Sequence, residues 1–140
     1  MNLLEALERK KALESSLEDR IDTLKIFLSD EENLSHTMGD IDLLIDDIFK
    51  LDRQIEIKYN NTLVSKTESI SDVISYIDGL TKKVNVLRYL LLTANKYEIE
   101  TGEKTKVSAQ TLLASIKHYE ALKNSLVSKV RDVCFDTKME

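Results

Sequence analysis

The sequence predicts an all-α fold built from four long amphipathic helices. Proline is absent and there are only three glycines, so the residues that break helices are scarce. Apolar residues recur at alternating spacings of three and four, the heptad pattern of helices that pack lengthwise against other helices. We therefore expect one helical domain over residues 1–140, either an antiparallel bundle or a pair of coiled-coil hairpins.

The first helix is predicted over about residues 2–28. Its apolar side chains lie on one stripe, with Glu, Lys and Arg on the remaining faces. The polar run at residues 29–33 is expected to end it. The stripe consists of Leu3, Ala6, Leu7, Leu13, Leu17, Ile21, Leu24 and Leu28.

The second helix is predicted over about residues 40–59. Gly39 favours a turn, and Asp40 is a residue type that caps helix N-termini. Asn60 and Asn61 tolerate the left-handed conformation found at helix ends, so we expect the helix to stop there.

The third helix is predicted over about residues 70–97, after an extended arm at residues 62–67. Ser69 or Ser71 is expected to cap it, with Asp72 in its first turn. It carries a seam of more than three heptads: Ile70, Val73, Ile77, Leu80, Val84, Leu87, Leu91 and Ala94.

The fourth helix is predicted over about residues 108–134, with Ser108 as its cap. Residues 98–106 before it form a polar connection in which the character of the side chains alternates. This alternation also favours a short β-hairpin near Gly102. Its seam has one polar interruption, at Lys123: Ala109, Leu112, Ile116, Tyr119, Lys123, Leu126, Val130 and Val133.

The two seams predict a homo-oligomer. A chain of 140 residues is small for long helices to bury every apolar face alone, which favours association between copies. The residues expected to form the oligomer seam are Ile77, Val84, Leu87, Leu91, Ile116, Tyr119 and Leu126.

Charge is distributed unevenly along the chain. Residues 29–59 carry nine acids and three bases, whereas residues 60–97 carry three acids and five bases. No basic stripe with interleaved aromatic residues occurs, so we expect no nucleic-acid partner. No signal peptide or stretch of roughly 20 apolar residues occurs, and the lone Cys134 suits a reducing compartment; we expect a cytoplasmic protein without a membrane partner.

No pattern predicts a catalytic residue, a metal or a cofactor, and we do not expect an enzyme. Asp42 and Asp46 lie one helical turn apart, but acidic residues near a helix start usually solvate its outer face, and no calcium-binding loop is present. His118 and Cys134 lie roughly 24 Å apart along one helix and cannot act together.

Polar residues beside the seams allow two interpretations. Lys10, Lys123, Asn85, Arg88 and Asn95 are expected to fix helix register, which is the usual role of such residues. Alternatively, basic residues line a polar cavity between subunits and bind a small anionic ligand. Arg88 is the leading candidate, because its guanidinium can hold a phosphate or carboxylate with two hydrogen bonds. The full candidate set is Arg88, Lys82, Lys83, Lys104 and Lys106.

The layout resembles the septicolysin-like family of small helical bacterial proteins. The resemblance spans most of the chain and rests on residues 3–13 (LLEALERKKAL), on the helix end from Leu51-Asp52-Arg53 to Asn60-Asn61, on the Ser69-to-Leu87 helix start, and on Lys106-Val107-Ser108.

The chain departs from that family at two signatures. Where family members have an Arg-Asp pair in the third helix, this chain has Lys83-Val84. Where they end in Gln-x-x-Asn-Trp, it has Cys134-Phe135-Asp136. The resemblance implies a helical fold and self-association. Nothing in the sequence supports a toxin-like activity.

The function expected from the sequence is that of a non-enzymatic, self-associating interaction or assembly protein. The alternative is an oligomeric, sponge-like protein that sequesters an anionic metabolite or nucleotide between its subunits. The contrast between an acidic second helix and a basic third helix favours anion binding on the third. Bound ligand and oligomer number together would discriminate the two hypotheses.

Overall fold

The computed structural model describes all 140 residues and contains four α-helices and no strand, which confirms the all-α fold. The helices are α1 (Leu3–Ile26), α2 (Glu31–Asn61), α3 (Ile70–Thr101) and α4 (Ala109–Asp136). The chain forms two compact units, one of Met1–Thr62 with Val133–Glu140 and the other of Leu63–Asp132. None of the helices has an apolar stretch long enough to cross a bilayer.

In the first unit, α1 and α2 form an antiparallel hairpin. The Asn2 side chain caps α1 by accepting a hydrogen bond from the Glu5 amide at 2.8 Å. The Lys10 ammonium of α1 contacts the Asp52 carboxylate of α2 at 2.5 Å, so the start of α1 lies beside the second half of α2. Leu3, Ala6 and Ile55 are buried.

The two chain ends are bonded to each other in this unit. The Leu3 amide donates to the Thr137 carbonyl at 2.7 Å, and the Met139 amide donates to the Met1 carbonyl at 3.1 Å. The Lys58 ammonium also donates to the Glu140 carbonyl at 3.1 Å. Because these bonds join opposite ends of the sequence, the last residues are part of the fold of this unit.

The prediction that the second helix begins at Asp40 was wrong, because α2 begins at Glu31. Asp30 is the cap: its carboxylate accepts from the Asn33 amide at 3.3 Å and from the Asn33 side chain at 2.6 Å. Acids in the first turn are also favoured by the helix dipole. Gly39 lies inside the helix and has an ordinary negative φ, so it makes no turn.

In the second unit, a capping box starts α3. The Asp72 amide donates to the Ser69 hydroxyl at 3.2 Å, and the Ser69 amide donates to the Asp72 carboxylate at 2.9 Å. This confirms Ser69 as the cap. The side chains buried in this unit come from both of its helices: Ile70, Val73, Leu80, Val84, Leu112 and Ile116.

The predicted β-hairpin near Gly102 is wrong, because α3 continues to Thr101. Gly102 closes the helix in the left-handed conformation (φ 71°), and its amide donates to the Glu98 carbonyl at 2.9 Å. The Glu98 carboxylate then accepts from the Thr105 amide at 3.0 Å. These hydrogen bonds satisfy backbone amides of the connection locally, and no strand pairing forms there.

The segment between α2 and α3 is a tight turn and not an extended arm. A β-bridge joins Leu63 to Ser69, and the Val64 amide donates to the Glu68 carbonyl at 2.8 Å. At the other end of the unit, Ser108 caps α4 by accepting from the Thr111 amide at 3.3 Å.

Candidate functional site

The residues predicted to form the oligomer seam lie between α3 and α4 of a single chain. Val84 and Ile116 are buried there, so a second copy cannot reach them. The other five are half-buried: Ile77, Leu87, Leu91, Tyr119 and Leu126. Association through this seam would have to use its five half-buried members, whereas exposed apolar side chains lie elsewhere on the chain.

Such side chains form a second seam on α3, which we call the α3 outer seam. It has the same alternating spacing of three and four and comprises Tyr76, Gly79, Lys83, Val86, Leu90, Thr93 and Tyr97. The large apolar members are exposed, with Val86 at 65% and Leu90 at 39%. An exposed heptad seam of this length has the pattern of a helix that packs on another helix.

A comparable seam lies on α2. This α2 outer seam comprises Met38, Asp42, Ile45, Phe49, Asp52 and Glu56, again at alternating spacings of four and three. Its apolar members are exposed, and Phe49, the largest of them, is 62% exposed. Here, acids occupy the polar positions, whereas Lys83 is the charged member of the α3 outer seam.

A slot of about 390 Å³ opens beside the α3 outer seam. Its lining is mostly apolar, with Val86, Leu87 and Tyr119 as walls and Lys82 and Lys83 as the cationic groups. The Lys83 ammonium lies 5.3 Å from the centre of the Tyr119 ring, within the range of a cation–π contact. The slot can hold one apolar or aromatic group beside a negative charge.

The five candidate anion-binding residues do not come together. Only Lys82 and Lys83 line the slot. The Arg88 guanidinium forms an ion pair with Glu120 of α4, so its charge is already balanced within the chain. Lys104 and Lys106 lie in the connection after α3. The end of α3 is about 27 Å from Lys83 along the helix axis, so these two lysines are far from the slot.

The remaining sequence candidates are not arranged for chemistry. Cys134 is buried, and burial raises the pKa of its thiol, which favours the unreactive protonated form. His118 is exposed and packs against Tyr119 with ring centres 5.5 Å apart. No group of three His, Cys, Asp or Glu side chains is placed to hold a metal ion.

Comparison with known proteins returns no match among protein-family models, curated proteins or solved structures. The resemblance to the septicolysin-like family therefore stays a prediction.

The outer seams were missed by sequence reasoning, although a signal for one of them was present. Tyr76, Lys83, Leu90 and Tyr97 recur at intervals of seven residues. They run parallel to the stronger seam of α3 from Ile70 to Ala94, which we call the inner seam. The inner seam consists of aliphatic residues throughout and therefore gives the stronger periodic signal. Lysine, threonine and glycine interrupt the outer one.

Proposed function

We propose that this chain is a non-enzymatic interaction protein that self-associates through the exposed apolar side chains of its α3 outer seam. The observation that supports this most directly is the exposure of Tyr76, Val86, Leu90 and Tyr97 on one face of a single helix. Exposed apolar side chains aligned on one face of a helix are typical of a partner-binding surface.

The geometry of the face favours a helix as its partner. Its residues alternate at spacings of three and four over about 32 Å of helix, which is long enough for three heptads of side-chain interdigitation. Val84 and Ile116 of the seam predicted from the sequence are buried within the chain, which favours the α3 outer seam as the contact surface.

Sedimentation equilibrium of purified full-length protein tests the proposal. The wild type should give a mass above 16.0 kDa that rises with concentration. Val86→Glu and Leu90→Glu should each lower this association, because burying an unpaired carboxylate in an interface is costly. Both variants should retain the helical circular dichroism of the wild type.

Leu92→Glu is the matched control, because Leu92 lies on the same helix and is exposed but is not a member of the α3 outer seam. It should associate like the wild type. A wild-type mass of 16.0 kDa at every concentration, or equal loss of association in Leu92→Glu, would refute the proposed use of this seam.

A second candidate function is the binding of a small anionic ligand, and the slot beside Tyr119 favours it. Lys82 and Lys83 can contact a phosphate or carboxylate there while Val86, Leu87 and the tyrosine ring cover an apolar or aromatic part. Titration calorimetry with a nucleoside monophosphate would detect binding. Lys83→Ala should weaken it, and the absence of heat would count against this function.

A further inference from the structure

The α2 and α3 outer seams are alike in spacing and length. Met38 to Glu56 spans about 27 Å of α2, and Tyr76 to Tyr97 spans about 32 Å of α3. Both present exposed apolar side chains on one face: Met38, Ile45 and Phe49 on α2, and Tyr76, Val86, Leu90 and Tyr97 on α3. Two such seams can pack against each other by interdigitation of side chains.

The two helices carry opposite charge over these seams. Apart from Asp52, Arg88 and Lys96, which are paired within the chain, residues 38–56 contain five acids and two bases, whereas residues 76–97 contain one acid and two bases. A contact between two α2 outer seams would place acids against acids, and a contact between two α3 outer seams would place lysines together. Only the mixed pairing brings opposite charges together.

We propose that the α2 outer seam of one copy of this chain packs on the α3 outer seam of a second copy. This inference rests on the proposed self-association and specifies which surfaces meet. Phe49, the largest exposed apolar residue of the α2 outer seam, enters the slot lined by Val86, Leu87 and Tyr119.

The slot fixes the position of the charges in this pairing. Asp46 lies one helical turn before Phe49, and residues three apart on a helix are neighbours on its surface. With Phe49 in the slot and the two helices running parallel, Asp46 lies beside Lys82 and Lys83, which precede Val86 by about one turn and line the same slot. Asp42 extends the acidic contact by a further turn. Neither aspartate forms an ion pair within its own chain.

A charge exchange in the full-length protein tests the pairing. Asp42→Lys with Asp46→Lys makes the α2 outer seam basic, and Lys82→Glu with Lys83→Glu makes the α3 region acidic. Each double variant alone should self-associate about tenfold more weakly than the wild type, since two opposite-charge contacts become like-charge contacts. An equal mixture of the two double variants should regain association, because each then supplies the charge that the other needs.

Phe49→Ala tests the apolar part of the same contact. It should weaken self-association by about tenfold or more, the usual loss on truncating an aromatic residue at the centre of an interface. Ile57→Ala is the matched control, because Ile57 is similarly exposed on α2 but is not a member of the outer seam. The control should associate like the wild type, and circular dichroism should report full helicity in both.

The outcomes separate this inference from the function on which it rests. Wild-type protein that stays at 16.0 kDa would overturn both. Wild-type protein that associates while the Asp42→Lys, Asp46→Lys variant associates equally well would leave self-association standing but overturn the α2-to-α3 pairing. A mixture of the two double variants that stays dissociated would also overturn the pairing.

Discussion

Three side chains of the first unit have a raised pKa in the folded chain. Burial raises the pKa of the Cys134 thiol. Burial also raises the pKa of the Tyr59 hydroxyl, and its proximity to Cys134 and Asp52 raises it further. The hydrogen bond to Asp52 raises the pKa of the Lys10 ammonium. In each case the fold favours the protonated form.

These shifts predict a loss of stability at alkaline pH. A group whose folded pKa is raised binds its proton more tightly in the folded state, so its contribution is complete below the unfolded pKa and is lost as pH rises through the folded one. The free energy of unfolding in urea should therefore fall as pH rises above about 9, where the unfolded thiol begins to ionise.

Variants at the buried Cys134 and the half-buried Tyr59 check that origin. The double variant Cys134→Ala, Tyr59→Phe should show a shallower fall of unfolding free energy over the same pH range, whatever its stability at neutral pH. If the stability of the wild type is constant from pH 8 to pH 11, or if the double variant retains the full slope, Cys134 and Tyr59 are not responsible.

At the scale of the helices, the effect of a glycine depends on its backbone conformation. Gly102 has φ 71° and closes α3, whereas Gly39 has a negative φ inside α2. A Cβ atom built at either position meets nothing within 4 Å, so the two glycines differ in backbone conformation alone.

The two glycines should respond to alanine with opposite signs. Gly39→Ala should stabilise the protein by about 0.5–1 kcal/mol, because it removes the entropic cost of glycine from a helix interior. Gly102→Ala should destabilise it by about 1–2 kcal/mol, since a side chain is strained in the left-handed conformation. Urea unfolding measures both, and a destabilised Gly39→Ala variant would be inconsistent with a helix that runs through residue 39.

Much of the fold could be predicted because helix periodicity and caps are local properties. The heptads of α3 and α4 and the Ser69 cap were predictable from neighbouring residues alone. The start of α2 was not predictable, because the polar run of Asp30 and the acids after it is compatible both with a loop and with the first turn of a helix. Gly39 was misleading for a related reason: glycine permits a turn without requiring one.

The candidate site was less predictable than the fold. Sequence periodicity identified the inner seams but could not tell whether a second helix of the same chain or another copy covers them. The burial of Val84 and Ile116 assigns them to the single chain. The ion pair of Arg88 with Glu120 could not be predicted either, because it joins residues on different helices.

At the scale of the whole molecule, exposed apolar side chains outnumber buried ones. Ten apolar residues are buried, whereas twenty-one large apolar residues are exposed. Isolated exposed apolar residues are ordinary on protein surfaces, but seven of those on α2 and α3 are aligned along the two outer seams. Alignment, more than number, is what supports a second copy as the partner.

The charges of the two units add to this picture. The unit of Met1–Thr62 with Val133–Glu140 carries 17 acids and 9 bases, whereas the unit of Leu63–Asp132 carries 8 acids and 11 bases. The acidic unit of one copy attracts the basic unit of another where the two meet, and salt screens this attraction. Self-association should therefore weaken as ionic strength rises.

Native mass spectrometry of freshly purified protein tests self-association most directly, because one spectrum reports both oligomer number and any retained ligand. We expect masses that are whole multiples of the 16.0 kDa chain, with no added mass, and a larger share of monomer at high ionic strength. A spectrum of 16.0 kDa monomer alone at micromolar concentration, or one in which association depends on a retained small molecule, would contradict it.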